Sequence, residues 1–169
     1  MMKKLFSLLF VAMTMVSLAH ATTFTFNDTI SQTKDGITVR FALGTGQSNP
    51  AYVSEQLRVY AGNTITVSGG TITSVAIEFT KRGTKAYIPT LTASTGTVVS
   101  GGASTSETDV KTDTWTGSSS KVVFALEGSG QRVVKSITVV GTGGTTGGDE
   151  GGDEGGDGGD ESGLNEEYV

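Results

Sequence analysis

Between Thr22 and Val140 the chain holds 23 threonines and 14 valines but only four leucines, and that imbalance decides what it can fold into. Threonine and valine branch at Cβ, lose rotamer freedom in a helix, and pack well on a pleated surface. The apolar residues also alternate. Ile37, Val39, Phe41 and Leu43 share one side of an extended segment, while Thr38, Arg40 and Ala42 take the other. That is the period of a half-buried strand. Val75, Ile77 and Phe79 repeat it opposite Ser74, Ala76 and Glu78. So do the pairs Phe24/Phe26, Leu57/Val59, Ile65/Val67, Val122/Phe124 and Ile137/Val139. No segment of this region carries a helical period. The expectation for 22–140 is an all-β domain, an antiparallel β-sandwich or jelly roll of eight to ten short strands.

Turn residues fall between the runs. Ala61-Gly62-Asn63 and Ser68-Gly69-Gly70 supply positive φ and local side-chain bonds, so Leu57 to Phe79 reads as a three-stranded meander. Gly117 to Ser120 is expected to turn the strand around Trp115 back into Lys121–Leu126. Two connections are longer: Gly44 to Gln56, which contains Pro50, and Ser100 to Asp113. Loops beyond roughly a dozen residues are uncommon in compact domains and often functional. A binding surface is therefore expected at one of these two.

The chain begins Met1-Met2-Lys3-Lys4, continues with an apolar run from Leu5 to Leu18, and reaches Ala19-His20-Ala21. A basic start, a short apolar stretch and a small-x-small site make an export signal, cut between Ala21 and Thr22. The run is shorter than the roughly twenty residues a membrane-spanning helix needs. Residues 1–21 are thus read as a leader, with the product at the cell surface, outside the cell or in the periplasm, and no membrane span once the leader is gone. The leader holds the single histidine, and the chain has no cysteine. Without imidazole or thiol, much nucleophilic catalysis and most transition-metal ligation fall away, and no metal or cofactor is expected. Net charge is −5, but 22–140 carries ten Lys or Arg against eight Asp or Glu. The remaining nine acids lie beyond Val140, with no base among them. Nothing concentrates the basic face that a nucleic-acid partner requires.

Asn49-Pro50-Ala51-Tyr52, the run Leu57 to Val67 (LRVYAGNTITV), and Trp115-Thr116-Gly117 ahead of a Val-Val-Phe strand carry a resemblance. Together they resemble a recurrent β-sandwich accessory module of secreted, multi-domain surface proteins of Gram-negative bacteria, over most of Asn49 to Val140. The resemblance implies a non-catalytic domain set beside other modules. It brings no catalytic residues with it.

Each candidate chemistry stands beside a plainer reading. The many hydroxyls lack a base and any Gly-x-Ser-x-Gly or Ser-x-x-Lys setting, so they read as solvated strand faces. A glycosidase needs only two carboxylates. Glu78 is mid-strand on the polar side, but Thr80 stands where a second acid at i+2 would be. The acids considered for that role are Glu55, Glu78, Glu107, Asp109, Asp113 and Glu127. Glu107, Asp109 and Asp113 could gather round calcium, yet they match no known loop spacing and read as an ordinary polar loop. Tyr52, Tyr60 and Tyr87 are the candidate ligand-binding residues, as aromatic platforms for a sugar ring. Tyr60 falls opposite Leu57 and Val59, and Trp115 is read as a core packer.

From Gly141 to Gly163 the chain is glycine with acid, repeating Gly-Gly-Asp-Glu at 147 and 151. It superficially resembles a calcium-binding β-roll repeat, but it has no apolar residue to build a core. It reads as a flexible, self-repelling linker. Residues 164–169 read as the start of a truncated second module. The whole sequence points to a non-catalytic surface module that binds carbohydrate or another surface protein. Two alternatives stand beside it: a small carboxylate-dependent glycoside hydrolase, and a structural spacer that displays a neighbouring domain.

Overall fold

A computed structural model describes residues 18–83 and 89–142. The expected leader up to Ser17, the 84–88 segment with Tyr87, and the glycine-acid region from 143 onward lie outside the described residues. Those described form ten strands and no helix. They are β1 (His20–Thr25), β2 (Ser31–Lys34), β3 (Ile37–Ala42), β4 (Ala51–Val53), β5 (Gln56–Tyr60), β6 (Thr64–Thr80), β7 (Thr90–Ala93), β8 (Thr97–Val99), β9 (Lys111–Glu127) and β10 (Gln131–Thr142). Every pairing is antiparallel, and all ten strands join one hydrogen-bonded sheet.

That sheet curls into a half-barrel because three strands are long and their edges are shared. On one edge of β6, Thr64–Ser68 pairs with β3 and Thr71–Thr80 pairs with β10; β9 runs along the other edge. The far edge of β9 takes β7 at one end and β8 at the other. The far edge of β10 takes β5 and then β1. β6 and β9 therefore pass from one flap of the sheet to the other, and β10 joins β5 and β1 to the second. The flaps close over a single core in which Val39, Phe41, Ile65, Val67 and Phe124 meet Val75, Ile77, Ile137, Val139 and Trp115. Alternation along each strand sends these residues inward.

Two expected turns are not turns. Ser68-Gly69-Gly70 lies inside β6, where the pairing with β9 slips between Ser68 and Ser74. Such a bulge bends a strand without ending it. Gly69 sits at φ 118°, and a Cβ there would strike the carbonyl of Gly36 in the β2–β3 turn. Gly117 to Ser120 likewise lies inside β9, opposite the β6 bend. The meander is corrected with them, since β5 pairs with β4 and β10 and never with β6. Leu57/Val59 and Ile65/Val67 both face the core, but from opposite flaps. Ala61-Gly62-Asn63 arches between the flaps instead of closing a hairpin.

At the chain ends of the domain, His20 and Ala21 continue β1 and pair with Gly141 and Val140. The domain's first strand thus starts two residues ahead of the expected cut, and β10 runs two residues past Val140. Among the described residues β1 has no strand partner on its other side. Gln32 Nε2 donates to Thr25 O at 2.8 Å, and Lys34 Nζ reaches Thr23 O at 3.4 Å. These bonds fasten β2 side chains to that open edge.

Candidate functional site

The arch between β5 and β6 organises one end of the molecule. Asn63 is fully buried, and its amide is fully used. Oδ1 accepts from Tyr60 N at 2.9 Å, while Nδ2 donates to Leu43 O at 3.1 Å and Ser48 O at 2.7 Å. One side chain therefore closes the arch and holds the loop after β3 against it. Backbone bonds do the rest. Thr45 N and Gly46 N donate to Gly62 O at 2.9 and 3.0 Å, and Ala61 N donates to Gly130 O at 3.0 Å. Gly62 N and Asn63 O exchange bonds with Leu126. Gly62 has φ 84°, and a Cβ there would collide with the backbone of Gly46. Only glycine lets the two loops touch.

These contacts bring three segments together: Gly44–Ser48, Tyr60–Thr64 and the β9–β10 turn, Ala125–Gly130. Between them lies an open groove of about 820 Å³, within the size range of small-ligand sites. Its lining joins hydroxyl residues (Thr45, Ser48, Thr64, Ser129), Gln47, the half-buried Tyr60 and the exposed Glu127 with the apolar Ala61, Ala125 and Leu126. Backbone and Asn63 bonds brace the walls, so the groove is formed before anything enters it. Glu127 is fixed at the rim by Thr92 Oγ1, which donates to Oε1 at 3.0 Å.

Of the two candidate tyrosines among the described residues, Tyr60 lines this groove and Tyr52 does not. Tyr52 pairs across to Leu57 and packs against the core; it is absent from the lining. Tyr87 lies outside the described residues. Trp115 is buried at 1% exposure, donates from Nε1 to Thr95 O, and meets Phe124 edge-on. The Gly44–Gln56 connection supplies one wall. The Ser100–Asp113 connection belongs to another part of the surface.

The acids of that second loop are spread among separate tasks. Glu107 Oε1 accepts from Gly83 N at 2.8 Å. Asp109 Oδ2 accepts from Thr105 N and Thr105 Oγ1, and its other oxygen meets Lys111 Nζ at 3.0 Å. The Thr105 backbone bond, above all, then Lys111, holds the Asp109 carboxyl below the usual range. Asp113 is buried with Arg132. Oδ2 accepts from Nη1 at 2.7 Å, Oδ1 accepts from Gly101 N at 2.9 Å, and Arg132 also donates to Pro89 O. Burial pushes the Arg132 pKa down, while Asp113 pulls it back. Among the described residues no cluster of three acids could hold a metal ion. Glu78, the glycosidase candidate, is exposed on the outer side and accepts from Ser136 Oγ at 2.7 Å. It is not part of the groove lining.

Asn63 is the residue that the sequence did not single out for this site. It stood in the right place as a turn residue, but nothing local shows that its amide reaches back to Leu43 and Ser48. Glu127 was considered only as one of a pair of catalytic acids, and no local pattern sets it beside Tyr60.

The fold and groove define a class: an all-β antiparallel domain with a braced, open groove of mixed polar and apolar lining at the end where its flaps join. No family model, curated protein or solved structure matches the chain. Among the described residues, no helix is long and apolar enough to cross a membrane.

Proposed function

We propose that this is an exported, non-catalytic binding module that takes a glycan in the groove beside Tyr60. The observation that carries the reading is the groove's composition: one aromatic ring among hydroxyl, amide and carboxylate groups on braced backbone. Sugars present apolar ring faces and many hydroxyls, so they need a stacking surface and fixed donors and acceptors, and this lining offers both. An open groove also suits a polymer that passes through. The resemblance to accessory modules of surface proteins, and the export leader, support a place outside the cytoplasm.

A hydrolase needs two carboxylates flanking one bond. Among the described residues Glu127 is the only acid that lines the groove, and Glu78 faces outward elsewhere. The geometry therefore favours holding a glycan over cutting it. For the spacer reading, a braced groove would have no purpose.

The test is retention of the protein on a panel of immobilised polysaccharides, for the wild type and for Tyr60→Ala. Loss of the ring should weaken binding about tenfold or more, equivalent to about 1.4 kcal/mol. The circular dichroism spectrum should not change. Binding that survives the substitution intact, or no retention on any polysaccharide, contradicts the reading.

A further inference from the structure

Among the described residues, Glu127 is the only charged one that lines the groove, with neither Lys nor Arg beside it. Thr92 engages Oε1, and Oε2 has no hydrogen-bond partner among the described residues. A ligand carboxylate or sulfate entering the groove would face this carboxylate with no cation to neutralise it. Glu127 is exposed at the rim, so that repulsion acts at short range and is screened by salt. The neutral donors and acceptors of Gln47, Ser48, Thr45 and Tyr60 fit sugar hydroxyls, and Glu127 Oε2 is placed to accept from one.

From this we infer that the groove selects uncharged glycans and rejects those built on uronic acids or sulfated sugars. The inference rests on the glycan reading above and narrows it. Selection comes from the fixed carboxylate at the rim, a repulsive element of the kind that sets specificity.

Affinity electrophoresis of the full chain separates the two claims. One arm uses neutral polymers (a β-glucan, a xylan and a mannan), the other polygalacturonate and alginate. At low salt, binding should be confined to neutral polymers, and the preference should shrink as salt screens the carboxylate. Glu127→Lys should admit the anionic polymers and shift the preference by about tenfold or more toward them. Anionic polymers that bind the wild type as tightly as neutral ones, and do so through Tyr60, overturn the charge selection and leave the glycan reading intact. A Glu127→Lys variant with unchanged preference also overturns it. If neither arm binds, the glycan reading falls and this inference falls with it.

Discussion

Arg132 and Asp113 show what a single buried charge demands. Their side chains are 2% and 1% exposed, and the guanidinium also lies 3.9 Å from the centre of the Phe79 ring. Arg132 Nε has no partner among the described residues, so the pair is held by Asp113, the Pro89 carbonyl and the aromatic face. Removing one charge leaves the other stranded, at a cost of about 3–5 kcal/mol. Asp113→Asn should therefore lower stability by about 3 kcal/mol in urea unfolding. The double variant Asp113→Leu, Arg132→Met should recover part of that loss, because no unpaired charge remains. A single variant as stable as the wild type would mean that the pair is solvated. Sequence reading put Asp113 in a polar loop, where acids are normally wet. Its partner lies 19 residues away on another strand, and no local pattern signals such a meeting.

At the scale of elements, alternation showed which segments are strands and which faces are buried, because side-chain period follows from backbone geometry alone. Partner choice did not follow. Glycine at 69 and at 117 reads equally as a turn or as a bend within a strand, and only the packing of the β2–β3 turn on Gly69 selects the bend. The β4–β5 connection shows the opposite case, a tight turn built from unsuited residues. Ser54 and Glu55 lie at φ 52° and 59°, the left-handed region that costs a side-chain-bearing residue roughly 1–2 kcal/mol. Two such residues in succession make the kind of turn that usually recruits Asn-Gly. Glu55→Gly should relieve that strain. After the added freedom of the unfolded chain, a net gain of about 0.5–1 kcal/mol remains. Calorimetry should show the melting midpoint rising by a few degrees; a fall would mean that Glu55 makes contacts that outweigh its backbone strain.

Across the whole molecule, the groove exists because the sheet curls. The β3–β4 loop, the β5–β6 arch and the β9–β10 turn are far apart in sequence, and they meet where the flaps join. Of its residues, Tyr60 was legible as an aromatic on the polar side of a strand, and the Gly44–Gln56 connection as an unusually long one. Their meeting was not, because it depends on β5 and β6 lying in different flaps. Backbone amide shifts report that meeting directly. Two-dimensional NMR of the chain, titrated with the neutral oligosaccharide that it retains best, tests the account's central claim. The account predicts that shifts move in one contiguous patch: Gly44–Ser48, Tyr60–Thr64 and Ala125–Gly130. Shifts centred instead on Ser100–Val110, or on the exposed face around Glu78 and Ser136, would contradict it.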